Sequence, residues 1–453
     1  MINPIPYIKI NGTTIPAGLN ADGDFTSVVA SGFTLQWGRS DYLDQPQAGS
    51  LSVTLYDKSG TWATSQDLIG LSVEAGMTYS GKTRIIFRGR IMDAELSYVQ
   101  TNEQPIFALA LNCSDKIGEL GQTYIADTPF GRESYSDRRD RLMSLGANKI
   151  IAGIGGGLNP WLSEMDSGDS SILSHIERLF ESVGDRMSYD PTTNRLEAMG
   201  RLEMSGKVLR LALNDTGMYG VELNLDEGSS PRSNLPAYGL TAQGGLRRSI
   251  SSGITEVRIG YKTHGNDYIG EAEAVYVKST GLNETTLGRR VLKVDSGIGV
   301  SRFANGNMIN FGDVTYLADQ YVEMAQSEAR QWIHPPVTWD SRLNGGFRTE
   351  AELFALLRCF EVRAPVYFQN SIYNSINTQT PVYRIIGGTV EFVGGPEGGW
   401  ISTVNLGPIK VNTTDAPVTW ATINTSTTET VTWELLDNSV TAAALAHVTQ
   451  GVD

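Results

Sequence analysis

Two glycine-rich loops and a few nucleophiles are the residues on which chemistry could rest. Gly76-Met-Thr-Tyr-Ser-Gly-Lys-Thr83 fits the spacing GxxxxGK followed by Ser or Thr. In a phosphate-binding loop, backbone N–H groups cradle phosphates, the lysine reaches the β/γ-phosphates and the last hydroxyl holds magnesium. Such a loop must open a helix, because the helix N-terminus holds the anion. Here Thr83 runs into Arg84-Ile-Ile-Phe-Arg-Gly-Arg-Ile91, which is β-branched and strand-like. A hairpin with Ser80-Gly81-Lys82 at its tip accounts for these residues. In Gly153-Ile-Gly-Gly-Gly157, Leu158 stands where a dinucleotide fingerprint needs glycine and Pro160 follows, so a tight loop is expected.

Nucleophilic and metal chemistry find little to build on. The chain has neither a GxSxG elbow nor an HExxH pair. Its four histidines, His175, His264, His334 and His447, lie far apart in sequence, so a triad or metal site would need long-range coincidence. The two cysteines, Cys113 and Cys359, read as buried thiols and make no disulfide framework. Asp93 and Glu95 share one face of a strand, as a glycosidase carboxylate pair would. Such pairs arise readily by chance among fifty acidic residues. No catalytic residue, metal ligand or cofactor site is assigned.

The elements that would carry any site are mostly strands. Phe33-Thr-Leu-Gln-Trp37 and Leu51-Ser-Val-Thr-Leu55 alternate apolar and polar residues, as half-buried strands do. The runs from Leu71, Arg84 and Ile106 continue the series. Residues 1–125 are expected to form a β-barrel-like domain. Residues 126–248 change character and read as a small α+β domain and linker. Arg132 to Leu145 is helical, and Ile172, Leu173, Ile176, Leu179, Phe180 and Val183 define a second helix, with Asp169 as N-cap and Gly184 as stop. Arg186–Tyr189 and Arg195–Met199, joined at Asp190-Pro191, read as a hairpin. The stretch from Asp226 to Arg248, rich in Ser, Pro and Gly, is the linker.

Strands resume over 249–410, expected as a second β-barrel-like domain. Its long helix carries Leu317, Tyr321, Met324, Ala325, Glu328 and Trp332 and ends before Pro335-Pro336, and a second helix is expected over Glu350 to Leu357. Val382–Ile386 and Thr389–Phe392 read as separate strands, and Ile401–Leu406 as the last. Residues 411–453 form a Thr-rich C-terminal extension that repeats Val418-Thr-Trp420 as Val431-Thr-Trp433. Trp420 and Trp433 are either anchors for a partner surface or cover for the edge of the second β unit. The fold class is thus mainly β with an α+β insert: two barrel-like domains, a small α+β domain and an extension.

Charge narrows the partners. With 36 basic and 50 acidic residues the 453-residue chain carries a formal charge of −14. That argues against coating DNA, reading it sequence-specifically or lying on anionic lipid, since each needs clustered cations. No apolar run approaches the roughly 20 residues that span a bilayer. The start, Met1-Ile-Asn-Pro-Ile-Pro6, has no signal-peptide pattern.

Several spaced segments resemble one family. Trp37-Gly-Arg-Ser-Asp-Tyr-Leu-Asp-Gln-Pro46 leading into Leu51–Asp57, and then Ile86-Phe-Arg-Gly-Arg-Ile-Met-Asp93, look like the opening strands of minor tail proteins of long-tailed actinobacterial phages. Ser171–Tyr189 with its Asp-Pro turn resembles their helix–hairpin middle domain. Val390-Glu-Phe-Val-Gly and Gly399-Trp-Ile-Ser-Thr-Val-Asn-Leu406 resemble the last strand pair of tail hubs. The resemblance implies a baseplate-hub-like protein, similar to the N-terminal part of tail-associated lysins. Two barrels per chain would let a homotrimer match hexameric rings. It implies a structural role without catalysis at the virion's tail tip, assembled in the host cytoplasm. The implied partners are further copies of itself, the distal tail protein ring, the tape-measure protein C-terminus and other minor tail or receptor-binding proteins, with DNA passing through. A hexameric distal tail protein and a tail-tip glycan hydrolase are the alternatives.

Overall fold

The computed structural model describes most of residues 2–409. It does not describe 200–208, 213–239, 243–252, 266–271, 370–381, residues from 410 onward and scattered shorter stretches. Seven strands come first: β1 (Ile5–Ile10), β2 (Thr13–Pro16), β3 (Val28–Gly38), β4 (Ser50–Asp57), β5 (Ser72–Tyr79), β6 (Lys82–Gln100) and β7 (Pro105–Asp115). They pair antiparallel in the order β3-β4-β7-β6-β5-β1-β2. The curl returns on itself where Ala17, just past β2, makes a parallel bridge to Ala30 of β3. Alternation explains the arrangement: Phe33, Leu35, Leu51, Val53, Leu55, Leu109, Leu111 and Cys113 turn inward to one core, and the residues between them turn outward.

An α+β unit follows: α1 (Lys116–Gln122), β8 (Glu133–Ser134), α2 (Tyr135–Ser144), β9 (Gly153–Ile154), β10 (Trp161–Leu162), α3 (Ile172–Glu181), β11 (Arg186–Asp190) and β12 (Arg195–Met199). Its own core joins Ile172, Ile176, Leu179 and Phe180 of α3 to Tyr135, Leu142, Met187 and Leu196. The N-cap of α3 is Ser171, not Asp169, because the Ser171 hydroxyl accepts the Ser174 N–H at 3.3 Å. The expected hairpin forms, with Asp190 opposite Arg195.

The remaining described strands divide between two places. Strands β13 (Leu209–Ala212) and β14 (Leu240–Ala242) are followed by β15 (Glu256–Gly265), β16 (Ala272–Ser279), α4 (Glu284–Leu287), β17 (Val291–Arg302), β18 (Met308–Ile309) and α5 (Phe311–Arg330). Strands β15 to β17 pack on α5 through Val257, Ile259, Val294, Leu317 and Tyr321, and their sheet continues into β10 and β8 of the α+β unit. Then come β19 (Val337–Asp340), α6 (Ser341–Asn344), β20 (Val366–Gln369), β21 (Val382–Val393) and β22 (Gly399–Ile409). These strands, with β13 and β14, join the first sheet. Strand β21 pairs with β3 from Gly387↔Gly38 to Phe392↔Phe33, giving thirteen strands among the described residues. Val382–Ile386 and Thr389–Phe392 are therefore one strand, bent at a bulge between Ile385 and Gly387.

Glycine makes that seam. A Cβ on Gly32 would run into the Phe392 carbonyl oxygen, and one on Gly38, at φ +74°, would lie 2.5 Å from the Gly387 Cα. Only side chains reduced to hydrogen allow this approach.

Candidate assembly surfaces

The glycine-rich loops do not make nucleotide sites. Ser80 and Gly81, at φ 46° and 73°, form the tight turn between β5 and β6, and Thr83 lies within a strand. Lys82 at the tip pairs with Glu350 at 2.7 Å. Gly153 and Ile154 form β9, parallel to β12. His175 is buried on α3 against the Phe130 ring, and His334 is buried with Nδ1 2.8 Å from the Pro335 carbonyl. Burial pushes the Cys113 thiol up to about 12 and raises Cys359 as well, which removes thiolate character from both. No group of three or more His, Cys, Asp or Glu among the described residues is placed to hold a metal ion. Trp420, Trp433 and His447 lie outside the described residues.

The large sheet carries two polar rows on the face away from its core. Cross-strand partners run Thr338–Thr403–Thr389–Gln36–Ser50–Ser114–Arg90–Ser72, across β19, β22, β21, β3, β4, β7, β6 and β5. A second row runs Ile401–Glu391–Thr34–Ser52–Asn112–Asp93. Directly paired residues share a face in an antiparallel sheet. Thr338 and Thr403 hydroxyls meet at 2.8 Å, and Ser52 donates to the Asn112 side-chain oxygen at 2.9 Å. Where β21, β3, β4 and β7 meet, the face sinks into a groove of ≈ 330 Å³ lined by Thr34, Ser52, Thr54, Asn112 and Glu391 among others. The one cation in these rows, Arg90, is bound to Glu119 at 2.9 Å. The surface offers hydroxyl and amide groups and a few carboxylates. The alternation at Phe33–Trp37 shows where its polar residues begin, but the rows exist only through long-range register.

A buried charged cluster locks the α+β unit to the sheet. The Arg39 guanidinium donates twice to Glu361, at 3.1 and 3.0 Å, and once to the Asp44 carbonyl at 2.9 Å. Arg384 reaches the same carboxylate at 3.4 Å. The Glu361 N–H donates to Ser188 of β11 at 3.1 Å. Arg358 and Arg84 are buried nearby, and burial pushes their guanidinium groups down to about 9 and about 10. Desolvated cations lower their pKa in this way. Gln45 adds a neutral link, accepting from Met187 N–H at 3.0 Å.

No protein-family model and no curated protein matches the chain. Solved structures do. A tail protein from Neisseria meningitidis MC58 superposes with a TM-score of 0.51 at 13% identity, over 89% of this chain and 96% of that one. The 43 kDa tail protein of prophage MuSo2 from Shewanella oneidensis gives a TM-score of 0.49 at 11% identity, over 89% and 98%. The chain therefore shares the β-rich fold of the Neisseria tail protein, almost end to end.

Proposed function

We propose that the chain is a structural component of a phage tail, a hub at the tail tip. Three copies surround the axis, joining the distal tail ring and the tape-measure end to the host-contacting tip. Residues 1–125 and 249–410 serve as the two barrel-like modules by which three chains present six ring positions, and β3 and β21 join strands of the two in one sheet. The observation that carries the reading is the hydroxyl-rich face running over eight strands. A surface past which DNA slides must be wet and must lack free cations, since each Lys or Arg bound to phosphate adds salt-dependent affinity. The net charge of −14 supports the same reading by repulsion. The shared fold with a tail protein supports it independently. Trp420 and Trp433 are proposed as anchors for a neighbouring tail protein, and no catalysis is assigned.

Copy number around the axis is the test, by mass measurement of the assembled ring or by imaging of tails. Three copies support the hub. Six copies would move the chain to the distal ring, and release of sugars from purified cell wall would make it a hydrolase.

A further inference from the structure

Two strands far apart in sequence have edges that no other strand covers among the described residues, and these edges match each other. Beyond Arg90 the long strand β6 loses its neighbour β5, whose pairing ends at Ser72↔Arg90, and among the described residues keeps only β7. Among the described residues no strand pairs with the other edge of Asp93–Val99. Leu96 and Tyr98 are 47% and 71% exposed there. The edge has no proline, lysine or arginine between Met92 and Gln100 to discourage pairing. Strand β16 is the second case. Among the described residues it pairs only with β15, and Val275 and Val277 are 59% and 50% exposed.

Backbone direction fits as well. Asp115 N–H bonds the Gly49 carbonyl, so odd residues of β7 face β4 and even ones face β6. Their partners Asp93, Glu95, Ser97 and Val99 face β7, which turns the backbone groups of Ala94, Leu96 and Tyr98 to the open edge. Thr280 N–H bonds the Thr255 carbonyl, so Glu273, Val275, Val277 and Ser279 are the outward residues of β16.

We propose that β6 of one copy pairs antiparallel with β16 of the next, with Leu96 opposite Val277 and Tyr98 opposite Val275. In that register all outward backbone groups meet. The exposed apolar side chains cover one another, Glu95 stands opposite Lys278, and no like charges are opposed. A β6–β6 pairing centred on Glu95 would oppose two carboxylates, whereas one centred on Leu96 opposes no like charges and is the competing arrangement that the Leu96→Cys variant alone reports. The contact is heterologous, using different patches on the two copies, so repetition closes a ring when the rotation permits. The inference rests on the ring reading above for its closure, and not for the pairing itself.

The test uses the full chain in two single variants, Leu96→Cys and Val277→Cys. Both positions are exposed, and the native Cys113 and Cys359 are buried. Paired strand positions lie within disulfide reach, about 5.5 Å between Cα atoms. Mixing the two variants under mild oxidation should give a covalent dimer that neither gives alone. The double variant should close into covalent rings on a denaturing gel. Separately, Leu96→Arg should weaken association at least about tenfold with unchanged circular dichroism. Failure of the mixture to cross-link, or cross-linking by Leu96→Cys alone, overturns the pairing. A covalent ring of a number other than three leaves the pairing intact and overturns the trimeric hub.

Discussion

Arg39 and Glu361, 322 residues apart, meet through paired hydrogen bonds of 3.1 and 3.0 Å with side chains only 2% and 4% exposed. Glu361 also receives Arg384 and, through its backbone, holds Ser188 of the α+β unit. It is the carboxylate on which several buried cations converge.

Replacing Glu361 with Gln should therefore destabilise the protein by about 3–5 kcal/mol, because buried guanidinium groups lose their counter-charge. Urea unfolding checks this. Arg39→Met should cost less, since Arg384 still satisfies Glu361.

Gly32→Ala should break the seam, because the added carbon meets the Phe392 carbonyl. The loss is expected to be about 1–3 kcal/mol or more if β21 separates. Gly70→Ala separates the two causes, since Gly70 stands clear of all neighbours at a positive φ of 85° and tests backbone strain alone, whereas Gly32 is not among the positive-φ glycines and tests crowding. Thermal unfolding of the two variants should rank Gly32→Ala as clearly the worse.

Asp57 is buried at the end of β4 and accepts five bonds: Ser59 N–H and hydroxyl, Gly60, Trp62 and Ala63 N–H. Burial raises its carboxyl, but the bonds outweigh burial and hold it below the ordinary carboxylate value. The stabilisation is therefore complete above the unfolded value near 4 and fades as pH falls through the lower folded value. Asp57→Ala should cost about 3 kcal/mol at neutral pH, and its deficit should shrink in acid denaturation curves.

Asp115 titrates in the opposite sense. It caps α1 through bonds to Ile117 and Gly118 N–H, and burial pushes it up to about 7. The folded state thus holds a proton that the unfolded chain has released, so stability should decline as pH rises from about 4 to about 7. Asp115→Asn should flatten that slope, measured by unfolding at a series of pH values.

Thr34→Lys with Ser52→Lys should cost no more than about 1 kcal/mol, since both side chains are exposed but the two lysines stand directly opposite across β3 and β4 and repel. The change should make the assembled ring retain labelled DNA at low salt, with retention falling steeply as salt rises. Equal passage with and without the lysines would detach this face from DNA transit.

Local features were legible in the residues themselves. Period-two alternation at Phe33–Trp37 marked the half-buried strand and the start of the polar face. Helical spacing at Ile172–Val183 marked α3, although the cap fell to Ser171 because its hydroxyl reaches the third residue's N–H. The full length of β6 was not legible beyond Ile91, because Met92–Gln100 are open on both faces and lose the burial alternation that signals a strand. The two glycines 387 and 388 looked like a break, yet they let one strand pass close to Arg39.

The β-rich class, the α+β insert and the acidic balance could be read from residues in order, because they follow from composition and short-range periodicity. Only the tertiary structure decided that strands from both ends of the chain share one sheet. It also decided that a hydroxyl-rich row crosses eight strands, and that two distant edges have no strand partner among the described residues. Each of these depends on register between segments up to hundreds of residues apart, and cross-strand register is set by packing and close backbone approach rather than by neighbours along the chain.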